Sequence, residues 1–274
     1  MNTPNAVHVA VQVLAARLAR CLSAGLLGTA LLLGVAPPQA QAAELPDTLQ
    51  QIRPSIVAIG SLLPTRSPSF RFFGSGFVVG DGNQVATNAH VVAEVFADVS
   101  ERFVVAIPTP GGGRPQLRMA TKEAVDTERD LAVLRIEGPP MRPMVLAENT
   151  VVREGQDIAI TGFPLVGALG VFPATHKGIV AAITPIGQPF ANASQLDARA
   201  IRRLNSGLYN VLQLDIVAFP GNSGSPVYLA ENGEVVGVVN QVFVKGLKEA
   251  AITNPSGITY AIPVAFLKAL LGKP

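Results

Sequence analysis

Downstream of residue 42 the apolar residues fall into short runs bounded by Gly, Pro, Asn or Asp. Hardly anywhere do they recur at the three- and four-residue spacing of a helix. Such runs predict strands. The first set is Ser55–Gly60, Gly74–Val79, Gln84–Asn88, Phe103–Ile107, Gln116–Thr121 and Leu131–Ile136. The second is Asp157–Thr161, Gly178–Ile183, Val211–Leu214, Pro226–Leu229, Glu234–Val239, Gln241–Val244 and Gly257–Ile262. Asp81-Gly82-Asn83 and Glu231-Asn232-Gly233-Glu234 read as hairpin turns. The Pro-rich stretch 138–149 reads as a connector between two comparable halves. Helical signals are confined to Pro46–Arg53, to Val264–Leu271 at the end of the chain, and to Ala198–Leu204 inside the long segment Pro185–Asn210. Many short strands with Gly/Pro turns predict an all-β sandwich or barrel architecture.

Residues 1–42 follow a different pattern. Arg17 and Arg20 precede an apolar run from Leu22 to Ala36, and Ala40-Gln41-Ala42 fits a small-x-small cleavage site, so this stretch reads as a secretory signal. An uncleaved N-terminal anchor is the alternative. The remaining domain would run from 43 to 274. The leader holds no acidic residue, so its removal leaves 19 basic and 19 acidic side chains in balance. That balance, with no basic stripe, argues against a nucleic-acid partner. Cys21 is the only cysteine and lies in the leader. A disulfide-free exported domain of this size must rely on its core, which fits a bacterial periplasm. Metal catalysis is not expected, because no His/Cys cluster has ligand spacing, and no motif calls for a cofactor.

The candidate chemistry centres on Phe219-Pro220-Gly221-Asn222-Ser223-Gly224-Ser225-Pro226. A serine needs a base to take its proton and donors to hold the oxyanion it creates. Glycines on either side allow a tight turn that aims N–H groups at one point. The same residues also suit a plain loop. Of three histidines, His8 lies in the leader, and His176 in Ala174-Thr175-His176-Lys177-Gly178 reads as a surface residue on a polar turn. His90, in Thr87-Asn88-Ala89-His90-Val91-Val92, stands at the end of a hairpin strand. No histidine follows Ser223, which excludes the α/β-hydrolase order, and neither Asp47 nor Asp81 has the setting a subtilisin-like order needs. The order His, Asp, Ser remains. Asp130, at the mouth of the apolar run Leu131-Ala132-Val133-Leu134, is the best acid; Asp98, Asp126, Asp157, Asp197 and Asp215 are the alternatives. Asp126 and Asp157 read as solvated.

The blocks Thr87-Asn88-Ala89-His90-Val91-Val92, Asp130-Leu131-Ala132-Val133-Leu134 and Pro220-Gly221-Asn222-Ser223-Gly224-Ser225-Pro226 resemble the three signature blocks of trypsin-like serine proteases, most closely the bacterial HtrA/Deg branch. Gly74-Ser75-Gly76-Phe77, Gly162-Phe163-Pro164, Gly178-Ile179-Val180 and Tyr260-Ala261-Ile262-Pro263 also have counterparts there. The resemblance spans about residues 45–268. It implies two six-stranded antiparallel β-barrels, about 45–145 and 150–268, with a short C-terminal helix. It implies a secreted or periplasmic serine endopeptidase: Ser223 as nucleophile, His90 as base, Asp130 orienting the imidazole, and the backbone N–H groups of Gly221 and Ser223 as oxyanion hole. By family position Val217, Val239 and Val242 belong to an apolar primary pocket, although these residues also suit a barrel core. Polypeptides, unfolded proteins among them, are the implied substrates. A homo-trimer is implied too, with Phe70, Phe72 and Phe73 able either to serve it or to pack on their own barrel. Two departures stand out. The chain ends at Pro274 without the PDZ domain usual in the branch, and Phe219 replaces its Asn before the Pro-Gly-Asn-Ser. A protease-fold protein that binds partner polypeptides without cutting them is the alternative reading.

Overall fold

The computed structural model describes residues 44–272, apart from 110, 149–150, 165, 167–169, 186–208 and 241–256. Six strands close the first barrel: β1 (Ile56–Leu62), β2 (Phe70–Val79), β3 (Gln84–Thr87), β4 (Arg102–Ile107), β5 (Gln116–Asp126) and β6 (Leu131–Ile136). They are joined in the order β1-β2-β3-β6-β5-β4, every pair antiparallel. Six more close the second: β7 (Asp157–Gly162), β8 (Ala174–Pro185), β9 (Asn210–Asp215), β10 (Pro226–Leu229), β11 (Val235–Asn240) and β12 (Ile258–Pro263), in the order β10-β11-β12-β9-β8-β7. Helix α1 (Leu45–Ile52) precedes the first barrel and α2 (Val264–Leu271) follows the second.

The apolar runs show no clean in/out alternation because both faces of the central strands are buried. Side chains on a strand point alternately to opposite faces. Val57 and Ile59 therefore join Val78, Val85, Val105, Ala132 and Leu134 in one cluster confined to the first barrel. Ile56 and Ala58 turn the other way. With Phe77, Ala86, Leu131 and Val133 they join a cluster that continues through Ile158, Ile160, Leu214, Val227, Val238 and Ile262 of the second barrel. The two barrels thus share one core across their interface.

The connector is stitched to both barrels. Met144 N–H donates to Val78 O at 2.9 Å, while Val235 N–H donates to Val145 O at 2.8 Å and Ala147 N–H to Val235 O at 2.9 Å. Helix α2 lies across β5, β6 and β11. It buries Val264, Leu267 and Leu270, and Lys268 Nζ reaches Ala147 O at 3.3 Å.

The structure differs from the sequence expectation in four places. Strand β2 begins at Phe70, not Gly74, because Phe70, Arg71 and Phe72 pair with Leu62, Ser61 and Gly60. Strand β5 runs on to Asp126 past an irregularity between Lys122 and Ala124. Strand β8 begins at Ala174, which puts His176 on a strand opposite Ile160. The strand carrying the His90 block ends at Thr87, and His90 sits on a short 3-10 turn, Ala89–Val92. The expected strand Gln241–Val244 and helix Ala198–Leu204 lie outside the described residues. Phe73 stacks on Phe96 with ring centroids 6.4 Å apart and meets Phe103 edge-on at 6.2 Å, so it packs on its own barrel.

Leu267 is fully buried at the seam between α2 and the barrels. Leu267→Ala is expected to lower unfolding free energy by about 2–5 kcal/mol, the usual cost of a buried leucine cavity. Urea denaturation followed by circular dichroism measures it.

Candidate active site

His90 is carried on its 3-10 turn, with Val91 and Val92 buried beside it as anchors. Its Nδ1 lies 2.6 Å from Asp130 Oδ2, and its backbone N–H donates to Asp130 Oδ1 at 2.8 Å. An ionised carboxylate only accepts, so Nδ1 carries the proton and Nε2 is left as an acceptor facing away from Asp130. The imidazole side chain is 30% exposed and the carboxylate 8%.

Asp130 needs an unusual backbone to reach this place. Its φ is +55°, the only positive value at a described residue other than glycine. Aspartate is among the few residues that tolerate this region. The preceding turn is tied by Asp126, whose Oδ1 accepts from the backbone N–H of Glu128 at 3.1 Å and of Arg129 at 3.0 Å, while Oδ2 pairs with the Arg129 guanidinium at 2.9 Å. Asn88 Nδ2 donates to the Asp130 carbonyl at 3.0 Å, and Asn240 Nδ2 to Asp130 Oδ2 at 3.0 Å.

Asp126 is not the solvated residue expected: its side chain is 12% exposed. Burial raises its pKa, but the Arg129 backbone N–H and guanidinium and the Glu128 N–H outweigh that and hold it below the ordinary carboxylate value. Asp157 is exposed as expected, 2.7 Å from Lys177.

Ser223 is 7% exposed and lies one turn after Phe219-Pro220-Gly221-Asn222. Asn222 N–H closes that turn on Phe219 O at 3.0 Å. Gly221 has φ +104°, and a Cβ there would fall 2.3 Å from Phe163 O, so only glycine fits. Among the described residues, the N–H groups of Gly221 and Ser223 donate to no acceptor, whereas those of Asn222, Gly224 and Ser225 all do. Two N–H donors two residues apart are thus left free beside a buried serine. No hydrogen bond joins Ser223 Oγ to the imidazole among the described residues. Such bonds often tighten only when substrate arrives.

The pocket expectations fare unevenly. Val217 is half-buried, Val239 is fully buried within the second barrel's core, and Val242 lies outside the described residues. His176 is not a surface turn residue. Its ring lies against Phe219 with centroids 5.8 Å apart and the planes tilted by 46°, its Nε2 is buried with no partner among the described residues, and burial pushes its pKa below the ordinary value. Asn240 was not anticipated, since nothing in its local sequence marks an amide aimed at a carboxylate far away in the chain.

These features can be set beside known proteins. Residues 74–238 match the family described as the trypsin-like peptidase domain. The chain belongs to the trypsin-like peptidase family. This trypsin-like chain is 28% identical over 195 residues to the "Probable periplasmic serine endoprotease DegP-like" of Halomonas elongata, covering 71% of the chain and 33% of that protein. It is 30% identical over 198 residues to "Serine protease HTRA2, mitochondrial" of Drosophila pseudoobscura pseudoobscura, covering 72% and 38%. Over the first relatives it spans between 32% and 51% of their length. Among solved structures, "HtrA-type protease AlgW with decapeptide" superposes with a TM-score of 0.59 at 22% identity, covering 84% of this chain and 67% of that one. The serine endoprotease from Yersinia pestis superposes with a TM-score of 0.56 at 24% identity, covering 84% and 65%. The two closed barrels and C-terminal helix are the trypsin-like protease fold.

The lowered Asp126 pKa fixes a pH dependence. A carboxylate with a folded pKa below its unfolded one stabilises the fold above the unfolded value, and that stabilisation is lost as pH falls through the folded value. The stability gap between wild type and Asp126→Asn is therefore expected to hold constant from neutral pH down to about pH 5 and to shrink below about pH 4. Chemical denaturation across that range measures it.

Proposed function

We propose that this trypsin-like peptidase is a serine endopeptidase that cleaves polypeptides through an acyl-enzyme intermediate. The observation that carries the reading is the His90–Asp130 pair together with the unpartnered N–H groups of Gly221 and Ser223. Ser223 Oγ attacks the scissile carbonyl carbon while His90 Nε2 takes its proton. The Asp130 carboxylate, held by Asn240, keeps Nδ1 protonated and stabilises the resulting imidazolium. The oxyanion of the tetrahedral intermediate receives the N–H groups of Gly221 and Ser223, each such donor being worth about 3–4 kcal/mol at the transition state. Collapse breaks the C–N bond, and the proton on Nε2 passes to the leaving amine. Water, deprotonated by His90, then hydrolyses the acyl-serine and restores the hydroxyl. Val217 takes the base of the primary pocket in this reading. With no acidic side chain at that position, an aliphatic residue is preferred over Lys or Arg on the acyl side of the cut bond.

The test is covalent labelling with a fluorophosphonate probe, which needs an activated serine and an oxyanion hole. Wild type is expected to label. Ser223→Ala and His90→Ala are expected to lose essentially all labelling, in line with a loss of about six orders of magnitude in turnover for such residues. Wild type as inert as both variants would overturn the endopeptidase reading in favour of a protein that binds polypeptides without cutting them.

Export to the periplasm is the companion proposal. Its support is the leader pattern of residues 1–42 and the periplasmic names of the DegP-like relatives. Among the described residues no helix is long and apolar enough to cross a membrane. Full-length protein expressed in a Gram-negative host is expected in the periplasmic fraction with Ala43 as its first residue. Intact residues 1–42 in the membrane fraction would point to an anchor instead.

A further inference from the structure

We infer that Ser75 is a positioning residue that sets the oxyanion donors from the opposite barrel, an inference that rests on the endopeptidase reading. Ser75 sits on β2 between Gly74 and Gly76 and is fully buried. Its backbone N–H donates to Ser223 O at 2.8 Å, and its Oγ–H donates to Gly221 O at 2.6 Å. The hydroxyl also accepts from Phe163 N–H at 2.9 Å, which uses a lone pair and turns its hydrogen toward Gly221. The Ser75 carbonyl accepts from Thr87 Oγ1 at 2.8 Å. One residue of the first barrel is thereby tied to both carbonyls that bracket the nucleophile and to the loop after β7.

Planarity of the peptide unit gives these bonds their effect. The Gly221–Asn222 unit is held at both ends, its carbonyl by Ser75 Oγ and its N–H by Phe219 O. The Ser223–Gly224 unit is held likewise, its carbonyl by Ser75 N–H and its N–H by Val239 O at 3.1 Å. The Asn222–Ser223 unit lies between these two fixed planes, and its N–H is one of the two free donors. The Pro220–Gly221 unit, which carries the other, adjoins the held Gly221–Asn222 plane through the Gly221 Cα. Donors that are fixed before reaction need no reorganisation when charge develops, and that is the source of their catalytic value.

The flanking glycines fit this role. A Cβ at position 74 would lie 3.0 Å from Ser223 O and 2.8 Å from Val91, so glycine lets β2 come close enough for the Ser75 bonds. The hydroxyl itself has no part in proton transfer, being spent on Gly221 and Phe163.

The experiment compares full-length wild type, Ser75→Ala, Ser75→Cys and Ser223→Ala. Fluorophosphonate labelling rates are measured against pH, and amide hydrogen exchange is followed by mass spectrometry below the melting temperature of each variant. Ser75→Ala is expected to label about 10–100-fold more slowly, the size of effect that follows a small displacement of a catalytic group. Its pH profile should be unchanged, because His90 and Asp130 are untouched. Ser75→Cys, similar in shape but a weak donor, should be slowed as well. Exchange should quicken in peptides covering 219–225 and stay unchanged in β1, β4 and β6. Labelling at the wild-type rate by either variant, a shifted pH profile, or faster exchange throughout the first barrel would overturn the inference. If wild type itself does not label, exchange decides. Loosening confined to 219–225 would uphold the Ser75 clamp while the endopeptidase reading fails, and unchanged exchange there would end both.

Discussion

Asp130 brings a carboxylate to a nearly closed place between two barrels, and a buried charge there is tolerated only if its oxygens are satisfied. The donors come from far apart in the chain: the ring and backbone of His90 and the amide of Asn240. The carboxylate meets them from a left-handed backbone position, which Asp126 ties in place through the turn before it. His90 is therefore held at two points by the group that orients it. Because one donor comes from β3's end and another from β11, the pair is complete only when both barrels are folded against each other. The geometry of the His90–Asp130 pair is in this sense a product of the shared core.

Much of this architecture was legible before any coordinates. The strands Leu131–Ile136 and Pro226–Leu229 and the closing helix Val264–Leu271 fall where the apolar runs predict them, since strands buried on both faces are written as unbroken apolar runs. Within the order His90, Asp130, Ser223, the first two are the pair that meets, at 2.6 Å. Other features depend on partners that sequence spacing cannot reveal. The start of β2 at Phe70 follows from pairing with β1 across an irregularity, and no local pattern marks it. His176 looks like a polar turn residue until β8 is seen to begin at Ala174 and Phe219 to cover the ring. Asn240 ends an apolar strand as an ordinary amide would, and only the fold aims it at Asp130. Ser75 reads as a small residue between two others chosen for close packing, which is true of its glycines and incomplete for the serine.

The region where the barrels meet also shows how polar groups are kept among largely apolar surroundings. Thr87, Asn88, Ser75 and Asn240 are all buried, and each donates or accepts across elements that belong to different strands or loops. Such bonds add little net stability individually, about 1 kcal/mol, but leaving one partner unmatched costs more than the bond returns. The network therefore disfavours slightly displaced packings of the barrels more strongly than apolar contacts would. His176 stands outside that network; like Asn88 Oδ1, its buried Nε2 has no partner among the described residues, and its ring lies tilted against Phe219 at the start of the turn before Ser223.

The connector between the barrels carries a mechanical consequence. A linker of this length in a two-lobed protein is commonly where lobes pivot. Here residues 144–147 are bonded at one end to β2 through Val78 and at the other to β11 through Val235. Rotation of one barrel against the other would have to break those bonds and part the common core at once. The connector thus works as a brace across the two barrels rather than as a hinge between them.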